Sequence, residues 1–166
     1  VAEPKGQSAL FEIRSIADEI NARQHQHRCE VLTLERTRAN AQQALVLNVK
    51  EGTSIFHSVM VHYENDLPVQ IEDRCVNAEI VPEYLAQDYS QTTPHAYLSL
   101  IAPLTEGEHI VEAVRASAEE CALLNIKEHD PCLLIRRKTW SASSIVSHAR
   151  LLFPGSRYRL QGRFMS

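Results

Sequence analysis

Apolar residues along this chain change several times from helical spacing to strand spacing. Between residues 10 and 23 they recur every three or four positions, which predicts an amphipathic helix with one face on a core. Alternation over residues 27–39 predicts a strand. Two segments rich in β-branched residues, 54–64 and 67–77, flank Asn65-Asp66, a pair that tolerates left-handed backbone. These two segments are therefore predicted to form a β-hairpin.

The remaining elements follow from the same patterns. Short helices are predicted at residues 41–49, 80–87 and 94–101. Ser117 and Glu120 have the spacing of a capping box, which predicts a helix through Leu124. Further strands are predicted at residues 108–116, 131–141, 144–153 and 158–164. This order predicts an α+β domain, a mainly antiparallel sheet with flanking helices.

Composition restricts the classes of function. The 166 residues suit one domain, and a net charge of −4 argues against DNA binding by this segment alone. No apolar run has the length of a membrane span, and the N-terminus lacks the features of a signal peptide. The four cysteines are far apart and form no CxxC, so reduced thiols and a cytoplasmic location are expected.

Residues 1–9 carry Pro, Gly and Ser and are interpreted as the remnant of a linker. The folded domain is therefore expected to span residues 10–166. Because the chain does not begin with Met, we interpret it as a fragment or a processed form.

An ordered series of motifs carries a resemblance to a known family. The motifs are Ile13-Arg14-Ser15-Ile16-Ala17-Asp18-Glu19-Ile20, Leu67-Pro68-Val69, Glu72-Asp73-Arg74, His109-Ile110-Val111-Glu112-Ala113, Ala118-Glu119-Glu120, Leu123-Leu124, Pro131 to Trp140, and Gly155-Ser156-Arg157-Tyr158. In this order they resemble the effector-binding (UTRA) domain of the HutC subgroup of GntR-superfamily repressors, over about residues 10–164. Segments 72–77, 138–141 and 153–160 resemble its histidine-utilisation branch.

The resemblance implies a chorismate-lyase-like fold that holds a ligand between the sheet and its covering helices. It implies a winged-helix DNA-binding domain before Val1, absent from this chain, and a homodimer as the working form. The implied effector is urocanate, the first intermediate of histidine breakdown, which releases such a repressor from operator DNA. A UTRA regulator of another small-molecule pathway is the alternative. No cofactor and no membrane partner are implied.

Four positions that contact sugar phosphates in other members differ here. The resemblance places Met60 and His62, which share one strand face, where those members carry two arginines. Ser147 and Phe153 correspond to two further sugar-contacting positions, usually Glu and an aromatic residue. These differences argue against a phosphosugar and favour a smaller, flatter, less charged ligand.

Charged candidates for the two ends of urocanate follow from the same resemblance. Glu72 lies at a ligand-contacting position and is expected to accept a hydrogen bond from the ring N–H; alternatively it pairs with Arg74 on the sheet surface. Arg14 is the first candidate for the carboxylate, although it could equally be an exposed helix arginine. Arg74 is the second candidate and Arg137 the third.

Two aromatic side chains are assigned to the pocket by the same resemblance. His95 and Tyr97 map onto pocket-lining positions, and Tyr97 could stack on a flat ligand or belong to the core. Trp140 is assigned to the core or an interface.

The residues give less support to three other functions: an enzyme, a zinc site and a pure dimerisation module. An enzyme is disfavoured, because no Ser-His-Asp constellation or Gly-rich phosphate loop is present. His25, His27 and Cys29 alternate in a way that suits zinc, but a polar helix–strand junction explains them better. A pure dimerisation module is the third alternative, and dimerisation is expected to accompany ligand sensing.

Overall fold

The computed structural model describes residues 5–166, and its elements follow the predicted order. The helices are α1 (Ile16–Ala22), α2 (Ala41–Leu47), α3 (Pro94–Ile101) and α4 (Ala118–Leu124), with one 3₁₀ turn at Tyr84–Ala86. The strands are β1 (Gly6–Ala9), β2 (His27–Arg38), β3 (Ser54–Glu64), β4 (Leu67–Asn77), β5 (Glu106–Arg115), β6 (Pro131–Ser141), β7 (Ser144–Pro154) and β8 (Tyr158–Gln161).

Six strands form one sheet in the order β2-β3-β4-β7-β6-β5, and every neighbouring pair is antiparallel. The predicted α+β class with a mainly antiparallel sheet is confirmed. The predicted hairpin of β3 and β4 is also confirmed, since Asn65 and Asp66 adopt φ angles of 48° and 62° in its turn. Both side chains tolerate this left-handed backbone, which explains why they stand between the two apolar segments.

The N-terminal segment differs from its prediction. Within the segment interpreted as a linker, residues 6–9 form β1, which pairs in parallel with β8, whereas residues 1–4 lie outside the described part of the chain. The ladder continues one step further, because the Leu10 N–H donates to Gln161 O at 2.8 Å. Residues bound to β8 in this way cannot also start a helix, so α1 begins at Ile16 and not at Leu10. Residues 10–15 are irregular, and we call them the strap.

Capping explains where two of the helices begin. Ser117 and Glu120 form the predicted capping box of α4, with the Ser117 hydroxyl accepting from the Glu120 N–H at 3.1 Å. Asn40 and Gln43 form a second box at the start of α2. The helix predicted at residues 80–87 is reduced to the single turn at Tyr84–Ala86.

The two faces of the sheet are covered differently. On the outer face, α2 packs over Ile55 and Cys75, and α4 packs over Val61 and Ile71. The inner face is covered by α1, α3, the 3₁₀ turn and the β1–β8 pair. Part of it is an apolar cluster of buried residues: Phe56, Met60, Val76, Val81, Tyr84, Tyr89, Leu98, Ala102 and Val146. The rest of the inner face carries buried charges, and the candidate site lies there.

Candidate functional site

A row of polar side chains crosses the inner face of the sheet at its centre. Glu72 and Arg74 are two residues apart on β4, so both point to the same face. Ala149 on β7 is paired with Arg74 on one side and with Arg137 of β6 on the other. The two arginines therefore flank one small side chain that is fully buried. Both arginines are themselves buried, with exposed fractions of 2% for Arg74 and 8% for Arg137.

These charges border a small cavity between the sheet and its inner covering. Its volume is about 10 Å³, which is space for about one water molecule. The strap, α1, α3 and both small strands contribute to its wall. The lining residues are Ser8, Arg14, Ile16, Glu19, Gln70, Glu72, Arg74, Thr93, His95, Arg137, Leu151 and Tyr158. The cavity thus combines two buried guanidinium groups and two carboxyl groups with one apolar wall at Leu151.

At one end of the row, Glu72 belongs to a continuous hydrogen-bonded chain. Its two oxygens accept from His62 Nε2 at 3.0 Å and from Arg74 Nε at 3.0 Å. Arg74 Nη1 also donates to Ser147 Oγ at 2.9 Å, and that hydroxyl lies 3.1 Å from Thr139 Oγ1. Each polar group at this end has a partner, which fixes the orientation of the Arg74 guanidinium.

The charge state of Glu72 follows from its partners. Burial alone would raise the pKa of this carboxyl group, but Arg74 and His62 hold it far below its usual range. Ionised Glu72 only accepts, so His62 donates to it through Nε2, while His62 Nδ1 lies 2.9 Å from His27 Nε2. Burial and the neighbouring His62 lower the pKa of His27 to about 4, so His27 is neutral at neutral pH.

At the other end of the row, Arg137 lacks a comparable partner. Its Nε donates to His109 Nε2 at 2.9 Å. Among residues 5–166 no carboxylate oxygen lies within 4.0 Å of its guanidinium, and its terminal nitrogens donate to no acceptor. Burial, together with the charge of Arg74, lowers the pKa of Arg137 to about 10. Arg137 nevertheless remains charged at neutral pH, so it is a buried cation facing a cavity.

The structure brings together several residues that the sequence assigned to the ligand. Arg14, Glu72, Arg74 and His95 line the cavity, and Ser147 lies directly behind Arg74. The two proposed roles of Glu72 coincide, since it pairs with Arg74 inside the cavity wall and not on an exposed surface. Arg14 combines features of its two expected roles: it lines the cavity, but its side chain is 62% exposed and pairs with Glu12 at 2.7 Å.

Four other predicted residues lie outside the cavity lining. Met60 belongs to the apolar cluster of the inner face, and Tyr97 packs against the same cluster. Phe153 is fully buried and stacks on Tyr158 with ring centroids 3.7 Å apart. His62 is placed behind Glu72 and reaches the cavity only through that carboxylate. The strand and helix positions of these four residues were predicted correctly, but packing directs their side chains into the core.

Other cavity residues were missed by the sequence analysis. Arg137 was ranked below Arg14 and Arg74, and Ser8, Glu19, Thr93 and Tyr158 were not proposed. Strand alternation could have placed Arg137 on the face of Ile135 and Thr139. The remaining four come from separate elements that meet only after folding, so no local pattern marks them.

The histidines and cysteines occupy unrelated surroundings. Among residues 5–166 no group of three His, Cys, Asp or Glu residues is placed to hold a metal ion, and His25 pairs with Glu64 while His27 contacts His62. All four cysteines are free thiols. In the described part of the chain no helix is long and apolar enough to cross a membrane.

Comparison with known families identifies the class of this domain. The family model of the UTRA domain matches residues 22–159, so the chain belongs to the UTRA family and is an effector domain of a transcriptional repressor. It is 80% identical over its full length to the histidine utilization repressor of Klebsiella aerogenes, of which it covers 69%. These matches place the chain among regulators of transcription.

Solved structures agree with this assignment. The C-terminal domain of the histidine utilization repressor from Pseudomonas syringae pv. tomato matches with 57% identity and a TM-score of 0.81, covering 85% of this chain and 100% of that chain. PhnF from Mycobacterium smegmatis matches with a TM-score of 0.91 at 19% identity, covering 100% of this chain and 74% of that chain. The second match supports the fold alone.

Proposed function

We propose that this domain senses urocanate for a repressor of histidine utilisation. Binding of urocanate in the small cavity lowers the affinity of the full-length protein for operator DNA. The name of the relative that is 80% identical supports the pathway. The chemistry of the cavity supports the ligand, since urocanate carries a carboxylate at one end and an imidazole at the other, joined by a flat unsaturated link.

The observation that carries the proposal is the buried guanidinium of Arg137, which has no carboxylate oxygen within 4.0 Å, although Glu19 and Glu72 stabilise its charge from a greater distance. A buried charge without a counter-ion costs several kcal/mol, and a ligand carboxylate on its terminal nitrogens removes much of that cost. Arg74 is less suited to this task because Glu72 already neutralises it. We therefore assign the ligand carboxylate to Arg137, with Arg14 as the second cation at the cavity wall.

The imidazole end is assigned to the opposite side of the cavity. Ionised Glu72 retains lone pairs for a ring N–H after accepting from His62 and Arg74. His95 faces the cavity from α3, and burial together with Arg74 lowers its pKa to about 4, so it presents a neutral ring. Leu151 supplies an apolar surface for the flat link. This arrangement offers one cation and one anion at opposite ends, as urocanate requires.

The cavity must enlarge when the ligand enters. A volume of about 10 Å³ is far below what a molecule of this size needs. The strap is the wall least fixed by regular structure, and it carries Arg14. The inner covering must therefore rearrange to admit the ligand, with the sheet as the constant wall.

The proposed partners belong to the full-length regulator. We propose a homodimer in which a change in the inner covering alters the placement of two DNA-binding domains. Such coupling requires urocanate to bind one arrangement more tightly than the other. Light scattering of the domain, together with operator binding of the full-length protein with and without urocanate, tests these two statements.

Titration calorimetry of the domain tests the ligand itself. Urocanate is expected to bind with a Kd on the order of micromolar, whereas histidine and glucosamine 6-phosphate are not expected to bind. Histidine is the sharper control because it shares the imidazole and the carboxylate but carries an additional ammonium group that would face Arg137. Absence of urocanate binding overturns the proposal, and binding of the sugar phosphate means that the cavity accepts a larger dianion.

A further inference from the structure

His109 on β5 connects Arg137 in the cavity wall with the first residue of the strap. Its Nε2 accepts the hydrogen bond from Arg137 Nε at 2.9 Å, and its Nδ1 lies 2.8 Å from the backbone oxygen of Leu10. His109 pairs with Arg137 across β5 and β6, so the sheet fixes this contact. The link runs from the buried cation to the first residue of the strap.

The two contacts determine the protonation of His109. Arginine nitrogens only donate and a carbonyl oxygen only accepts, so Nε2 must be the acceptor and Nδ1 must carry the proton. The neutral ring with a proton on Nδ1 satisfies both partners, whereas the charged ring would place an N–H against the N–H of Arg137. Burial and the charge of Arg137 both lower the pKa of His109, in agreement with a neutral ring.

The strap itself is held at few points. Leu10 N–H donates to β8, and Ser15 Oγ lies 3.0 Å from Thr93 Oγ1 at the other end. Between these ends Phe11 is 69% exposed, and the strap borders an open hollow of about 380 Å³ that also touches Gly107 and His109. The hydrogen bond from His109 is thus a second restraint on the first residue of a segment that has no secondary structure of its own.

We propose that His109 is a positioning residue that couples the effector to the strap, so that an anion on Arg137 closes the strap over the cavity. The inference rests on the proposed function of the cavity. A carboxylate on the terminal nitrogens of Arg137 restricts the guanidinium, which restricts His109 and its bond to Leu10. Arg14 then turns from Glu12 toward the same carboxylate, since it already lines the cavity.

Coupling of this kind is reciprocal. If urocanate lowers the equilibrium constant for opening of the strap by some factor, it must bind the closed strap more tightly than the open strap by the same factor. Loss of the two hydrogen bonds of His109 therefore affects the free domain and the ligand together. A residue that merely fills space would not show this paired response.

Hydrogen exchange at the amides of residues 10–15 measures the strap directly. Urocanate is expected to slow their exchange in the parent domain. His109→Leu, which keeps bulk but removes both hydrogen bonds, is expected to speed their exchange about fivefold without ligand and to weaken urocanate by at most the same factor. His109→Gln has both a donor and an acceptor and is expected to recover part of both losses. His148→Leu is the matched control, since His148 is also half-buried but lies on the outer face.

The outcomes separate this inference from the proposed function. Unchanged exchange of the free strap in His109→Leu overturns the role of His109, whatever the ligand is. Urocanate binding that leaves strap exchange unchanged overturns the coupling but leaves the effector assignment intact. If urocanate does not bind, the proposed function fails, and the coupling that rests on it fails as well. Ring-nitrogen NMR provides a further check, because a proton on Nε2 of His109 in the free domain contradicts the hydrogen-bonded link.

Discussion

The two buried arginines on the inner face occupy nearly equivalent positions but have different surroundings. Arg74 and Arg137 flank the same alanine, and both are almost excluded from solvent. Arg74 belongs to a chain of partners that includes Glu72 and Ser147, whereas Arg137 donates to one neutral imidazole. The comparison separates two kinds of buried charge: Arg74 is neutralised by a carboxylate of the same sheet, whereas Arg137 has no such partner and is the one that we propose to bind the ligand.

The difference has an energetic meaning. A buried ion pair with complete hydrogen bonding contributes little net stability, but removing one member leaves a costly lone charge. Arg137 already approaches that costly state in the free domain, as its lowered pKa shows. An anionic ligand in the cavity would offset the cost of this buried charge, which explains why an arginine stands at this position.

Glu72→Gln is expected to have the largest effect, a loss of roughly 3–5 kcal/mol in the free energy of unfolding, because it leaves Arg74 charged and without a counter-ion. Urea unfolding measures it. Asp73→Asn is the matched control on the adjacent residue. It breaks a pair with His57 in which Asp73 is 43% exposed, and is expected to cost at most about 1 kcal/mol.

A double change sharpens the same test. Replacing both members, as Glu72→Met with Arg74→Leu, removes the lone charge and is expected to recover most of the stability lost in Glu72→Gln. A Glu72→Gln domain within about 1 kcal/mol of the parent would mean that Arg74 does not depend on this carboxylate.

Unlike Glu72→Gln, Arg137→Met is not expected to lower the free energy of unfolding. It removes an unneutralised buried cation, so the free energy of unfolding is expected to stay equal or to rise by roughly 1–2 kcal/mol. Urocanate affinity should fall at least about tenfold, through loss of a charge-assisted contact. Calorimetry and urea unfolding together measure the contrast. Arg136→Met is the control on the outer face, where Arg136 pairs with Glu112, and unchanged urocanate binding is expected there.

Lowering the pH is expected to reduce stability by less than the Glu72→Gln substitution described above. Burial lowers the pKa values of His27 and His95 from 6.5 to about 4. Between these values the unfolded chain binds more protons than the folded domain, so stability is full above pH 6.5 and falls as the pH drops toward 4. Urea midpoints across this range should fall less steeply in His27→Gln than in the parent. His129→Gln, at a side chain that is 80% exposed, should follow the parent curve.

Arg14→Ala is expected to have the smallest effect. Its side chain is largely exposed and pairs with Glu12 in the free domain, so stability should change by less than about 0.5 kcal/mol. Urocanate affinity should fall by a few-fold, less than in Arg137→Met. A larger loss in Arg14→Ala than in Arg137→Met would return Arg14 to the leading role that the sequence favoured.

Local patterns in the sequence predicted most of the secondary structure. The β3–β4 hairpin and the capping box of α4 depend on neighbouring residues, so both were predicted closely. The start of α1 was missed because residues 6–9 pair with β8, some 150 positions later in the chain. Helical spacing at residues 10–15 carries no information about that distant strand.

The candidate site was predicted only in part, and the arginines show why. Arg14, Arg74 and Arg137 were distinguished by family position, which says nothing about their counter-ions. Glu72 neutralises Arg74, Glu12 pairs with Arg14 in solvent, and Arg137 has neither arrangement. We therefore propose a different order, with Arg137 first and Arg14 second, on the basis of burial and pairing, which exist only in the folded chain.

By itself the sequence determined the elements, the α+β class and, through its ordered motifs, the family, because these depend on side-chain periodicity and on residue identity. The tertiary structure decided which charges lie together, which of them remain unneutralised, and how His109 connects Arg137 to the strap. The physical reason is that the free energy of a buried charge depends on the groups that surround it. Those surroundings come from β4, β6, β7 and the strap, which meet only when the sheet has formed.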